Sequence, residues 1–370
     1  MNVLMGLNAP WVGGTRIHAL TLAEALLGRG HRLTLVTDEG MLEDEMTARG
    51  IPFARRAAGL KPMLELLLGL VARERPAVLH AHPAASILES YYLHKMTGIP
   101  FLVTMHGEYL MHFARNSLGE KIAEAVYAVI AVSGRVRDYL LNGSALPPDK
   151  IRVAPNGIDT NEFRPGLDVA RLRSALGLQE DATAVLYLGR MDADKRQAIL
   201  ATVETIRHLA RYGVNVRGVI VGAGDFFSAL TEICRRVNQD TGREILTLTG
   251  FRRDLPALIS LAEMVVATGR AALESMAIGK PVLAVGRAGF LGLVTPDRWG
   301  EARETNCGDH GVLPEPDPTA MADLLYYLHR DENLRQTLGI QMRGLVSEDY
   351  GIGKVAAEVE SIYKEAAMNG

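Results

Sequence analysis

The chain has 370 residues, of which 48% are hydrophobic and 22% are charged, and its net charge is −3. Because a single domain usually takes about 100–200 residues, this length predicts two domains of similar size. The composition excludes a disordered or fibrous protein, and the charge balance gives no sign of a nucleic-acid partner.

The cysteines and the N-terminal residues bear on the cellular location of the protein. Cys234 and Cys307 have no partner at metal-ligand or disulfide-framework spacing, so we expect a reducing, cytoplasmic location. The opening MNVLMGLNAP has neither a basic stretch nor a cleavage-like site, and we interpret it as a strand. The apolar run at 63–71 is too short to span a bilayer. With RRAAGLK at 55–61 it leaves open a peripheral contact with the inner membrane face, although a solvated loop and a core helix fit better.

Strand-like and helix-like runs alternate through the first half of the chain. TRIHALTLAEALLGRG (15–30) has the apolar spacing of an amphipathic helix, which Gly28 and Gly30 help to end. The strand candidates of this half are 2–8, 32–37, 77–82, 101–107, 128–133 and 151–157.

The pattern restarts after NEFRPG (161–166), where Pro165 and Gly166 interrupt it. Near-continuous apolar runs such as VRGVIVG are typical of a sheet buried on both faces. A last helix, at 353–367, could pack on either domain. The strand candidates of this half are 184–190, 216–224, 245–250, 264–268 and 281–286.

This alternation predicts an α/β protein with two Rossmann-like, doubly wound domains facing across a cleft, and with ligands at the carboxyl ends of the strands. We expect the first domain to span 1–165, the second 166–350, and a C-terminal helix 351–370.

Two glycine pairs follow predicted strands. Gly13 and Gly14 lie in WVGGTR, and Gly222 and Gly224 in VGAG. Each pair could let a ligand approach the following helix N-terminus, or it could simply form a tight turn. Neither pair has the three-glycine spacing of a dinucleotide-binding motif.

GRMDADK (189–195) places two cations around a strand-to-helix turn. Arg190 can bind a diphosphate through parallel hydrogen bonds, and Lys195 adds a charge at a helix N-terminus that already favours anions. The alternative is a solvated loop in which Asp192 or Asp194 pairs with these cations.

The segment VVATGRAALESMAIGKPVLAVG (265–286) carries one acid, Glu274, on a helix of small residues. A carboxylate there can accept hydrogen bonds from both hydroxyls of a ribose. The alternative is a glutamate favoured by the helix dipole, although the surrounding residues leave little polar face.

Three histidines end predicted strands of the first half. His80 and His82 are two apart on one strand, so both face the same side of the sheet, and His106 follows the next strand. They could contact a ligand or each other. A metal pair is the weaker alternative, because no third ligand has suitable spacing, and we expect no metal site.

Taken together, six segments resemble the GT-B glycosyltransferases of family 4, also called glycosyl transferase group 1. The resemblance runs through nearly the whole chain. It rests on GGTRIHALTLAEALLGRGHRLTLVT, on VLHAHPA with LVTMHGEY, on VAPNGIDTNEFRP, on YLGRMDADK, on VGAG and on ALESMAIGKPVLAVG.

The resemblance implies a nucleotide-diphosphate-sugar donor held mainly by the second domain, and a sugar, lipid-linked or small-molecule acceptor, as in surface polysaccharide or glycolipid synthesis. It also implies anomeric retention, no required cofactor or metal, and a last helix that crosses back to the first domain. By position, Arg190 and Lys195 would hold the diphosphate, Glu274 the ribose, and His106 the donor sugar. The residues left to line the nucleotide site are Gly13, Gly14, Gly189, Gly222, Gly224, Gly269 and Arg270.

One departure concerns the donor sugar. The family has two glutamates eight positions apart, and the position eight before Glu274 is Val266. Two alternatives therefore accompany the transferase: an epimerase or hydrolase of UDP-sugars on the same fold, and a nucleotide-sugar-binding protein without activity. Extra acids at 266–270 would favour the epimerase, and this sequence has none there.

Overall fold

The computed structural model of the chain describes residues 1–8, 13–38 and 43–369. Its contacts divide the chain into two compact units. The first consists of Met1–Gly157 with Tyr350–Gly370, and the second of Ile158–Asp349.

The first unit contains one sheet covered by helices. Its strands are β1 (Asn2–Leu7), β2 (Arg32–Thr37), β3 (Phe53–Arg55), β4 (Val78–His82), β5 (Phe101–Met105), β6 (Ala128–Ala131) and β7 (Ile151–Val153). All are parallel, in the order β3-β2-β1-β4-β5-β6-β7. The helices are α1 (Gly14–Gly28), α2 (Glu43–Ala48), α3 (Leu60–Glu74), α4 (Ala85–Thr97), α5 (Ser117–Ala125) and α6 (Gly134–Gly143).

The second unit repeats this architecture with six strands. They are β8 (Thr183–Leu188), β9 (Val216–Val221), β10 (Leu246–Gly250), β11 (Met264–Ala267), β12 (Val282–Gly286) and β13 (Gly289–Leu293), in the order β10-β9-β8-β11-β12-β13. The helices are α7 (Ala170–Ala175), α8 (Arg196–Arg211), α9 (Phe227–Thr241), α10 (Leu255–Leu261), α11 (Gly269–Ala277), α12 (Trp299–Glu304), α13 (Pro318–Arg330) and α14 (Glu332–Tyr350).

The prediction of two Rossmann-like, doubly wound domains is confirmed. In each unit the strand order reverses beside the first strand, β1 or β8, which is the switch point where such sheets place their ligands. The central strands β4 and β8 are buried along their whole length, as their continuous apolar runs predict.

Two strands were missed by the sequence analysis. β3 has only three residues and lies at a sheet edge, so it carries no apolar run. β13 pairs antiparallel with β12, and its glycines at 289 and 292 have φ of 127° and 99°. Because glycine weakens a strand pattern, this edge strand has no clear signal in the sequence.

The last helix, α15 (Ile352–Asn369), belongs to the first unit and packs against α1. Its buried face includes Val359 and Tyr363, and Arg29 forms an ion pair of 2.6 Å with Glu360. The second unit already begins at Ile158, before Pro165, because the segment that follows Gly157 packs there: Arg343 donates hydrogen bonds to the carbonyls of Thr160 and Phe163.

Candidate donor-binding site

Lys195 is the most buried cation at the carboxyl end of β8. It ends a short 3-10 turn, Ala193–Lys195, immediately before α8, and is only 5% exposed. Its Nζ is hydrogen-bonded to Oδ1 of Asp309. Because a buried ammonium group needs an anionic partner, this position is suited to an anion.

Arg190 lies on the same turn but faces solvent. Its side chain is 55% exposed and pairs with Asp192 and Asp194, the two acids that the sequence offered as alternatives to a phosphate. The structure therefore contains the ion pairs of the solvated-loop interpretation for Arg190, whereas Lys195 is buried and bound to an acid that the sequence analysis did not consider.

The turns after β8 and β9 pack tightly through glycine. Gly222 has a φ of 151°, and a Cβ at this residue would lie 1.9 Å from the carbonyl oxygen of Gly189. At Gly224, with a φ of 156°, a Cβ would lie 2.5 Å from the carbonyl oxygen of Met191. The close approach of the two turns alone explains why both residues are glycine. No contact with a ligand is needed to explain them.

Glu274 is 3% exposed on α11, which follows β11, the neighbour of β8 in the sheet. Nε of Arg270, one turn earlier, donates a hydrogen bond of 2.6 Å to Glu274 Oε1. Burial raises the pKa of Glu274; the charge and hydrogen bond of Arg270 oppose this rise, and the charge of Glu162 adds to it. Arg270 therefore acts within the protein as the partner of the predicted ribose acid.

Val266, eight positions before Glu274, is fully buried within β11. Its side chain belongs to the hydrophobic core of the second unit, with Tyr187 and Leu283 among its members. A carboxylate at this position would lose hydration without a partner, so the strand itself explains why an apolar residue occupies it.

Residues 305–311, which we call the 305–311 segment, follow α12 and lie against the ends of β11 and β12. Asn306 and Cys307 have φ of 48° and 51°, a region that residues other than glycine seldom adopt. The carbonyl of Asn306 accepts a hydrogen bond of 3.0 Å from Gly269 N–H, and that of Cys307 accepts one of 2.9 Å from Thr268 Oγ1. This segment carries Asp309 to Lys195.

Asp309 is ionised although it is largely buried. Burial raises the pKa of the Asp309 carboxyl, but the charge and hydrogen bond of Lys195, together with the charges of His310 and Arg287, outweigh burial, so this pKa lies below its ordinary value. Burial and the nearby Asp309 charge together raise the pKa of the Cys307 thiol to about 12. The thiol is consequently neutral at physiological pH and is not a nucleophile.

The first unit holds Gly13, Gly14 and His106, while the other eight predicted site residues lie in the second unit. Among the described residues, no atom beyond the chain neighbours and the backbone of α1 lies within 4 Å of a Cβ built on Gly13 or Gly14. Trp11 and Val12 of the same motif fall outside the described residues.

His106 belongs to a cluster of imidazoles with His18, His80 and His82. His82 Nδ1 lies 2.9 Å from His106 Nε2, and the two rings are stacked with centroids 5.2 Å apart. The centroid of His80 is 4.5 Å from that of His82, so the two histidines share one side of β4 as their spacing predicts. One ring nitrogen of His106 is thus bound within the protein.

The cluster is anchored to the last helix, and His80, His82 and His106 in it are uncharged. His80 Nδ1 lies 2.6 Å from the Tyr363 hydroxyl, and its Nε2 lies 2.8 Å from Thr104 Oγ1. Burial lowers the pKa of His80 to about 3 and that of His106 to about 4, and it lowers that of His82 well below its ordinary value. These histidines accordingly stay neutral at physiological pH.

Within the described part of the chain, no group of three or more His, Cys, Asp or Glu side chains is arranged to hold a metal ion. Among the same residues, none of the helices combines the length and apolar character of a membrane span.

Comparison with known proteins agrees with this architecture. The chain is 25% identical over 398 residues to the alpha-D-kanosaminyltransferase of Streptomyces kanamyceticus, which covers 94% of this chain and 98% of that protein. A glycosyltransferase of Rickettsia africae ESF-5 has a TM-score of 0.81 at 20% identity, over 100% of this chain and 99% of that one. Alr3699/HepE of Anabaena, solved with UDP and glucose, has a TM-score of 0.76 at 18% identity, and the match covers 99% of this chain and 100% of that one.

Two family matches divide along the chain much as the two units do. Residues 12–162 match Glycosyltransferase Family 4, and residues 182–331 match Glycosyl transferases group 1. The chain therefore belongs to the family 4, group 1 glycosyltransferases of the GT-B fold, and the protein is a glycosyltransferase.

Proposed function

We propose that the protein transfers a sugar, with retention of anomeric configuration, from a nucleotide-diphosphate-sugar to a sugar, lipid-linked or small-molecule acceptor. The observation that carries the donor class is the burial of Lys195 and Glu274 after the adjacent strands β8 and β11. A buried cation suits a diphosphate, and a buried carboxylate suits a ribose. The resemblance to solved structures containing UDP supports the same donor class.

In this proposal the second unit binds the donor. Lys195, at the start of α8, neutralises charge that develops on the leaving diphosphate, and the helix N-terminus adds its dipole. Arg190 reaches the same anion from the solvent side, which requires exchange of its contacts to Asp192 and Asp194. Glu274 accepts hydrogen bonds from the ribose.

Because these cations supply the electrostatic stabilisation, the proposal includes no metal and no organic cofactor. Transfer should continue unchanged in EDTA. Loss of transfer in EDTA with recovery on adding Mg²⁺ or Mn²⁺ would contradict this part of the proposal.

The experiment that tests the donor class is a thermal-shift screen of UDP-, GDP-, ADP- and dTDP-sugars on the full chain. A true donor binds the folded state and raises the melting temperature. The best donor is then incubated with and without candidate acceptors, and release of the nucleotide is followed. Release that depends on an acceptor supports transfer, and NMR of the product reports its anomeric configuration. Epimerised donor without an acceptor, or binding without turnover across the acceptor panel, would contradict the proposal.

A further inference from the structure

The 305–311 segment contacts Lys195, which the proposed function assigns to the donor diphosphate, and Gly269, which begins α11 and which the resemblance places in the nucleotide site. The carboxylate of Asp309 binds Lys195 Nζ, and the carbonyl of Asn306 accepts the Gly269 N–H at the start of α11. A carboxylate and a carbonyl oxygen are the same kind of acceptor as the oxygens of a diphosphate. One short segment thus presents two acceptors to one cation and one helix N-terminus.

From this geometry we propose that the 305–311 segment competes with the donor diphosphate, and that donor binding displaces Asp309 from Lys195 and Asn306 from Gly269. The inference rests on the proposed function, since it requires Lys195 to bind the diphosphate. It identifies Asp309 as a residue that sets the affinity of the donor site.

The charges around Lys195 make this exchange feasible. Lys195 is almost fully buried, so it keeps an anionic partner in both arrangements, first the carboxylate and then the phosphate. The Asp309 side chain is 29% exposed, and hence it can turn into water when it is released. Were the carboxylate to stay in place, it would repel the incoming diphosphate.

Hydrogen bonds hold the segment against the strand ends. Besides those of Asp309 and Asn306, they include the Thr268–Cys307 hydrogen bond, Ala288 N–H, which donates to the Gly308 carbonyl at 3.1 Å, and Arg287 Nη2, which donates to the Asp309 carbonyl at 3.1 Å. Asn306 and Cys307 keep a left-handed backbone that residues other than glycine adopt at a cost. A segment of this kind can exchange between two arrangements.

The decisive measurement is calorimetric binding of UDP, GDP, ADP and inorganic pyrophosphate to the full chain. Asp309→Asn keeps a hydrogen-bond acceptor for Lys195 but removes the competing charge. If the segment is released in roughly 1–10% of molecules, removing its hold should tighten binding by roughly 10- to 100-fold. Thr268→Val, which leaves Lys195 and Asp309 unchanged, should tighten it by a smaller factor. Melting temperatures of both variants check that they are folded.

Asp254→Asn is the matched control, because Asp254, like Asp309, pairs with a cation of the second unit, here Arg252, and the change removes the same charge. The affinity of Asp254→Asn for the nucleotides and pyrophosphate should stay within about twofold of the wild-type affinity, since screened charges outside the site have little effect on binding. Hydrogen exchange gives an independent readout: saturating UDP should speed exchange of the 305–311 amides.

The outcomes separate this inference from the proposed function. If Lys195→Met weakens binding while Asp309→Asn does not tighten it, or if UDP slows exchange of the segment, Asp309 only positions Lys195 and competition is wrong. If Lys195→Met binds every probe as the wild type does, or if nothing binds, the donor-site assignment fails and the competition fails with it.

Discussion

Arg270 and Glu274 form a buried ion pair one turn apart on α11, with Arg270 Nε 2.6 Å from Glu274 Oε1. The pair stabilises a charged acid where burial alone would favour the neutral form. In the proposed function, a ribose would share the Glu274 carboxylate with Arg270.

Glu274→Gln should therefore weaken binding of UDP by about 1–3 kcal/mol, the range for a hydrogen bond to a charged group. Binding of pyrophosphate, which has no ribose, should weaken much less. Calorimetry of both ligands measures the difference between the two losses of binding free energy. Glu263→Gln, a variant of an acid that pairs with Arg173 before β11, is the control. Equal losses for UDP and pyrophosphate would mean that Glu274 is structural.

Lys195 and Arg190 should contribute different free energies to the binding of a diphosphate. Lys195→Ala is expected to cost about 2–3 kcal/mol of diphosphate binding, because the charge is buried and little screened. Arg190→Ala should cost about 1 kcal/mol, because its side chain is half exposed and already paired with Asp192 and Asp194. Pyrophosphate titrations measure both, with the exposed Arg235→Ala on α9 as control. A larger loss for Arg190 than for Lys195 would reverse this order of roles.

The strands could be predicted from the sequence because apolar runs in buried parallel sheets are continuous, as in VRGVIV of β9. The contact between Arg270 and Glu274 could also have been predicted, since residues four apart on a helix face each other. The contact between Lys195 and Asp309 could not, because 114 residues separate them and CGDHG has no periodic pattern. Only tertiary packing of the 305–311 segment brings Asp309 to the site.

The glycines of the two turn motifs should respond differently to alanine. Gly222→Ala places a Cβ against the carbonyl of Gly189 and should lower the free energy of unfolding by on the order of 3 kcal/mol. Gly13→Ala adds a Cβ to an extended backbone, and no described atom beyond the chain neighbours lies within 4 Å of it, so we expect stability to be unchanged while donor affinity or transfer falls if this turn lines the site. Urea denaturation and thermal-shift titration separate the two effects. A destabilised Gly13→Ala, or a stable Gly222→Ala, would contradict this assignment.

The histidine cluster should make the first unit less stable as the pH falls below about 6.5. His80 and His106 have folded pKa values of about 3 and about 4, below their ordinary 6.5, so between these values the unfolded chain binds protons that the folded chain does not. Each such histidine lowers the free energy of unfolding by about 1.4 kcal/mol per pH unit in this range. Carboxylates with lowered pKa values, such as Asp254, change the free energy of unfolding only near and below pH 4. Between pH 5 and 6.5 the pH dependence therefore comes from the histidines.

Urea denaturation at several pH values between 5 and 6.5 measures this slope, and His80→Gln should reduce it by about 1.4 kcal/mol per pH unit. The pKa of Glu274 shifts in the opposite direction, which favours the folded protein at low pH, but Glu274 lies in the second unit. His208→Gln on α8 lies in the second unit, outside the cluster, and serves as control. A slope that His80→Gln leaves unchanged would mean that the buried imidazole is charged in the folded protein, which its contacts with Tyr363 and Thr104 do not favour.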